Sequence, residues 1–164
     1  MTETTTANPA HAWLDDDQQR AWRGWLDVHA QLTARLNRHL QATTGLSLSD
    51  YSVLVELTSP CASDGSLRMF ELGERLQWEK SRLSKQVSRM QQRGLLARRD
   101  CPDDRRGAFV DITDAGRAAI AAAAPEHVAL VRELFFDGVD PVDVRRLADF
   151  TDRVLGRLAH SDLP

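Results

Sequence analysis

Apolar positions recur at spacings of three and four along the first quarter of the chain, where Trp22, Trp25, Leu26, Leu32, Leu36 and Leu40 form one stripe with His29. Asp15, followed three residues later by Gln18, makes a capping-box pattern with Trp13 just outside it. Gly45 supplies the stop. The spacing predicts a helix over about 15–42, roughly 40 Å long at 1.5 Å per residue. A small domain cannot cover that length with one core, so part of the stripe is expected to meet another subunit. Ser47 and Asp50 form a second capping pair ahead of a short helix carrying Tyr51, Val53, Leu54 and Leu57.

Residues 59–65, rich in Ser, Pro, Gly and Asp, read as a loop, and 66–69 as a short strand. A helix over 70–76 would bury Leu72 and Leu76; it lacks a good capping residue, and Gly73 weakens it by about 1 kcal/mol relative to Ala. That glycine is tolerable if another helix passes close by. After a three-residue turn, Leu83, Val87 and Met90 mark a helix over 80–93 that stops at Gly94. Residues 95–99 and 108–112 read as strands around a turn at 100–107. Thr113 caps a helix over 114–136 that Pro125 should kink. Asp140-Pro141 opens a last helix whose apolar face is Val144, Leu147, Phe150, Val154, Leu155 and Leu158. The fold class is mainly α with a small antiparallel β-wing.

Composition narrows the class. With 164 residues, 42% of them apolar, the chain suits one globular domain with helical extensions. No run of about 18 apolar residues exists to span a membrane. Residues 1–12 are expected to be a disordered lead-in, since the Thr-rich start has neither the basic nor the apolar region of a signal peptide. Two cysteines, Cys61 and Cys101, are too few for a disulfide framework. The expectation from these features is a cytoplasmic protein.

Charge is distributed unevenly. Seven Lys or Arg and no acid lie between Lys80 and Arg99, although the whole chain carries a formal −3. From Arg68 to Arg106 there are 11 Lys/Arg against 6 Asp/Glu, a net +5, and the remainder, 10 against 18, carries −8. An acidic chain that concentrates positive charge on one helix and one hairpin is built to meet a polyanion, with DNA the leading candidate.

Two short helices, a tight turn and a hairpin describe a winged helix-turn-helix, whose second helix can enter a major groove about 12 Å wide. At 100° per residue, Leu83, Val87 and Met90 share one side of that helix. Arg82, Lys85 and Arg89 share the other, flanked by Ser81 and Ser88. Arg can pair bidentately with guanine, while Ser and Lys can hold phosphates. The alternative is a solvated charged face, but such faces usually mix both signs. Arg105 and Arg106 lie at a Gly-terminated hairpin tip suited to the narrow minor groove, with Asp104 placed to orient them. A surface turn with two ion pairs is the plainer reading.

Leu67 to Gly116, LRMFELGERLQWEKSRLSKQVSRMQQRGLLARRDCPDDRRGAFVDITDAG, resembles the winged-helix core of the MarR family of bacterial transcriptional regulators. The resemblance rests on Ser-Arg-Leu-Ser at the recognition helix, Arg-Gly-Leu into the wing, Asp-x-Arg, and Thr-x-x-Gly in combination. The flanking helices match the family layout, so it covers nearly the whole chain. It implies a homodimer built from the N- and C-terminal helices (13–45 and 117–164) around a DNA-binding domain at 46–116. It implies binding to pseudo-palindromic double-stranded DNA, as a repressor or less often an activator. Arg106 with Asp104 matches the family's wing-tip pair, and Ser81, Arg82, Lys85 and Arg89 fall in its recognition helix. Gly73 stands where Ala is usual, and Phe70 where a capping Ser or Thr is usual.

The resemblance also implies a small aromatic or phenolic effector held between dimer helices and winged domain. Trp13, Trp22, Trp25, His29 and Tyr51 could line such a crevice, although the tryptophans could equally pack a dimer core. Cys101 lies beside Arg99, where positive charge favours the reactive thiolate, so a redox switch is conceivable. His11, His29, His39, His127 and His160 make no ligand cluster of recognisable spacing, so neither metal nor cofactor is expected. A winged-helix adaptor binding an acidic protein partner is the alternative from another class. An enzyme is not expected, because no Ser/His/Asp arrangement, phosphate loop or metal motif is present.

Overall fold

The computed structural model describes residues 13–60, 62, 64–101 and 104–160, and within 101–107 the backbone alone. The predicted lead-in, His11 and Cys61 lie outside these residues, as do the side chains of Cys101, Asp104, Arg105 and Arg106. The element order is α1 (Asp16–Thr44), α2 (Leu48–Thr58), β1 (Ser66–Arg68), α3 (Met69–Leu76), α4 (Lys80–Gln92), β2 (Leu96–Cys101), β3 (Asp104–Ile112), α5 (Asp114–Val131), a π-helical turn (Arg132–Phe136) and α6 (Pro141–His160).

The helix starts follow their capping chemistry. Asp15 accepts the Gln18 amide at 2.8 Å while the Gln18 side chain accepts the Asp15 amide at 3.1 Å. Ser47 and Asp50 repeat the exchange at 3.0 and 2.8 Å. Thr113 accepts the Gly116 amide at 3.0 Å, and Asp140 accepts the Val142 amide at 2.6 Å. At α3 the N-cap position is Arg68, which supplies no side-chain acceptor. Glu71 reaches back to accept the Arg68 amide at 2.9 Å, half of a capping box. Phe70 is the second residue of that helix and is exposed.

The core gathers Leu40 and Leu46, Val53, Leu54 and Leu57 of α2, Leu72 of α3, Leu83, Val87 and Met90 of α4, Val110 of β3, and Ile120 and Ala123 of α5. The winged domain therefore borrows the end of α1 and the start of α5 to close its interior. Gly116 makes that junction possible: a Cβ there would lie 2.3 Å from the Leu95 carbonyl oxygen and 2.8 Å from Ile112 Cγ1.

The sheet differs from the expected two-stranded wing. It has three antiparallel strands in the order β1-β3-β2, with Leu67 opposite Val110 and Arg98 opposite Val110 on the other side. Strand pairing also continues into the segment expected to be a turn, reaching Asp100 opposite Ala108 and, after a register shift, Cys101 opposite Asp104. Backbone hydrogen bonding along the ladder carries the hairpin further than side-chain composition indicates. Helix α5 runs through Pro125, and regular α geometry gives way at the π-helical turn Arg132–Phe136.

Two long surfaces stay uncovered. Every residue from Trp13 to Gln31 of the α1 arm is exposed or nearly so, including Trp22, Trp25, Leu26 and Val28. No residue of α6 is fully buried, Val144, Leu147 and Val154 are half-buried, and Phe150, Leu155 and Leu158 are open to solvent.

Candidate nucleic-acid interface

Helix α4 divides as its angular pattern requires. Leu83, Val87 and Met90 are essentially inaccessible, while Ser81, Arg82, Lys85, Ser88 and Arg89 are exposed together on the opposite side. The turn that aims this helix is Gln77–Glu79, with Gln77 in the left-handed region at φ 52° and the Trp78 amide bonded to the Gly73 carbonyl at 2.9 Å. No side chain caps α4 at Glu79, and its first turn carries no acid. The helix thus presents basic side chains and the positive end of its dipole on the same surface.

Two of the exposed guanidiniums are held in place. Arg82 lies over the Trp78 ring, 4.2 Å from its centroid, a cation–π stack that restrains a flexible side chain. Arg89 donates from Nη2 to Gln86 Oε1. Gln86 is buried and donates from Nε2 to Oδ1 of Asp50, at 2.5 Å. Asp50, also buried, takes Arg93 Nη1 at 2.7 Å on its other oxygen.

Strand alternation splits the neighbouring arginines of β2. Arg98 shares a groove with Lys80, Leu83 and Ser84 beside α4, so it extends the positive surface of that helix. Arg99 is on the other face, where it bonds Asp111 at 3.3 Å and lies 4.6 Å from the centroid of Phe109. Arg68 approaches the same ring at 5.4 Å. The acid-free stretch is therefore not one uniform surface. From the sequence Asp50 has only a capping role, and neither Gln86 nor Trp78 stands out; a buried-position glutamine at helical register with Leu83, Val87 and Met90 is the signal that points to the first of these two.

Comparison with known proteins decides the family. The winged domain, residues 44–107, matches the model of the MarR family. AbsC, a MarR family transcriptional regulator from Streptomyces coelicolor, is 37% identical, with 91% of this chain and 99% of that one covered at a TM-score of 0.82. The chain belongs to the MarR family.

A second MarR-family structure, Sco3205 from Streptomyces coelicolor in complex with DNA, is 32% identical over 93% of this chain and 94% of that one, with a TM-score of 0.83. MarR from E. coli, as a mutant complexed with operator DNA, shares the fold at 23% identity, covering 87% and 99% of the two chains with a TM-score of 0.73. No curated protein matches significantly.

Within this MarR-family chain the aromatic candidates for an effector crevice do not converge. Trp13 precedes α1, Trp22, Trp25 and His29 are strung along its exposed arm, and Tyr51 is half-buried on α2. Trp25 and Leu40, where α1 enters the core, are separated by about 22 Å of helix. Tyr51 instead stacks on His127 of α5, with ring centroids 4.3 Å apart. His39 of α1 lies beside them, its Nε2 3.9 Å from Glu126. Burial pushes the Tyr51 hydroxyl pKa up; burial, and then the proximity of His39, lower that of His127. Sequence spacing could not have signalled this group, since its members come from three separate helices. Among the described residues, no helix is long and apolar enough to cross a membrane, and no group of three or more His, Cys, Asp or Glu could hold a metal ion.

Proposed function

We propose that this regulator acts as a homodimer on pseudo-palindromic double-stranded DNA, as a repressor released by a small aromatic effector. The observation that carries the reading is the exposed Ser81/Arg82/Lys85/Ser88/Arg89 face on a helix whose opposite side is sealed into the core. Arg82 and Arg89 are suited to base edges, and Ser81, Lys85 and Ser88 to phosphates. The wing, through Asp104, Arg105 and Arg106, adds a minor-groove contact. The uncovered apolar faces of α1 and α6 supply the dimer contact. Half-sites about 34 Å apart require a fixed distance between the two recognition helices. An effector that binds a dimer with different spacing lowers the population competent for DNA.

Selection from a random pool of duplexes, followed by binding measured against salt, tests this reading. A steep fall of affinity with salt is expected, and Lys85→Ala should reduce the slope of log K against log salt by about 1. A salt-insensitive complex, or failure to enrich any sequence, would overturn it.

A further inference from the structure

A glutamine on the core side of α4 is out of place on packing grounds. Gln86 is 3% exposed and sits among Leu83, Val87 and Met90, where an apolar side chain would avoid the cost of burying an amide. Both ends of its amide are used: Nε2 donates to Asp50 Oδ1, and Oε1 accepts from Arg89 Nη2. Asp50 is itself 4% exposed, and its Oδ2 accepts the Ser47 amide at 2.8 Å and Arg93 Nη1 at 2.7 Å. Arg93 Nη2 then donates to the Gly45 carbonyl at 2.8 Å. One hydrogen-bonded path thus runs from the C-terminal cap of α1, through the N-cap of α2, to a guanidinium on the exposed face of α4.

We infer that Gln86 is a positioning residue for DNA recognition, fixing the Arg89 guanidinium in the orientation that meets a base edge and anchoring it through Asp50 to the end of α1. This rests on the reading of α4 as a DNA-recognition helix. The physical argument is preorganisation. A free exposed arginine samples many rotamers and loses that freedom when it binds. A guanidinium already tethered by one N–H pays less of that cost and offers the rest of its fork in a fixed plane. Bidentate pairing with guanine O6 and N7 needs that plane to be right. Lys85, a phosphate contact in this scheme, has no such tether among the described residues and needs none, because a point charge tolerates misorientation.

The experiment is a double-mutant cycle on a duplex selected by the wild-type protein from a random pool, with a scrambled duplex of equal length as reference. Gln86→Met is expected to weaken binding to the selected duplex at least tenfold. Affinity for the scrambled duplex, and the salt slope, should stay within twofold. In an Arg89→Ala background the same substitution should add less than twofold. Equal losses on both duplexes, or an undiminished loss in the Arg89→Ala background, would show that Gln86 serves only the fold. Undiminished selectivity in Gln86→Met would show that Arg89 needs no tether. If Gln86→Met does not fold, Gln86→Asn, which keeps the amide and shortens its reach by one methylene, is judged by the same criteria. A wild-type protein that selects no sequence overturns the DNA-recognition reading itself, whereas a selective wild type with an equally selective Gln86 variant overturns the positioning role alone.

Discussion

At the scale of single residues, what decides behaviour is what each side chain has next to it. Gly73 has the next helix beside it, but not so close as to require a glycine: a Cβ there would meet Leu83 Cδ2 and the Trp78 carbonyl at 3.5 Å, ordinary contact distance. Gly73→Ala should therefore raise stability by about 0.5–1 kcal/mol through lower unfolded-state entropy and better helix propensity. A urea midpoint that falls instead would show that α3 and α4 need the gap. His127 supplies a pH dependence. Its pKa is lowered in the folded chain from the ordinary 6.5 by burial, and further by His39. The unfolded chain then binds the proton more readily, so this contribution to stability is present above about pH 6.5 and is lost as pH falls toward the folded-state value. Thermal melts between pH 8 and pH 5 should show the decline, and His127→Gln should flatten it; identical pH profiles for the two proteins would contradict the assignment. Tyr51 stacks on the His127 ring, and Glu126 lies 3.9 Å from His39 Nε2 in the same cluster.

At the scale of elements, junctions matter more than interiors. The start of α5 lies so close to the beginning of the wing that Gly116 has no space for a methyl group, its built Cβ falling 2.3 Å from the Leu95 carbonyl oxygen. Gly116→Ala is expected to cost about 1–3 kcal/mol, as overpacking does, and calorimetry would register it as a lower Tm. An unchanged Tm would mean that α5 moves away without penalty. Helix α4 is similarly defined at its ends. The Gln77–Glu79 turn sets its direction, and the Arg93 bonds to Asp50 and Gly45 hold its far end against α1 and α2. The basic surface is thus carried by a helix fixed at both ends, with its exposed side left to the Lys and Arg residues.

At the scale of the whole molecule, the winged core closes within one chain while the long helices leave apolar faces exposed. Exposed apolar residues run along the α1 arm and α6, the surfaces that the proposed dimer would cover. Paired charges at Trp25→Glu and Leu155→Glu should shift sedimentation from dimer to monomer while leaving the winged core folded. Specific DNA binding should fall with it, because two half-sites then no longer act together. A protein that is monomeric before any substitution would refute the dimer.

Much of this was legible from local chemistry alone. Asp15–Gln18, Ser47–Asp50 and Thr113 place helix starts because capping needs only residues three apart, and Leu83, Val87 and Met90 against Arg82, Lys85 and Arg89 give the two sides of α4 because helical phase is a local property. The tertiary structure decided what depends on partners distant in sequence. It added β1 to the wing, extended the hairpin ladder, and sent Arg98 and Arg99 to opposite faces of β2. It also joined Asp50 to Gln86 across 36 residues and Asp50 to Arg93 across 43, and it assembled Tyr51, His39 and His127 from three helices. Local periodicity tells which side of a helix is buried; only packing tells which polar group waits there to receive it.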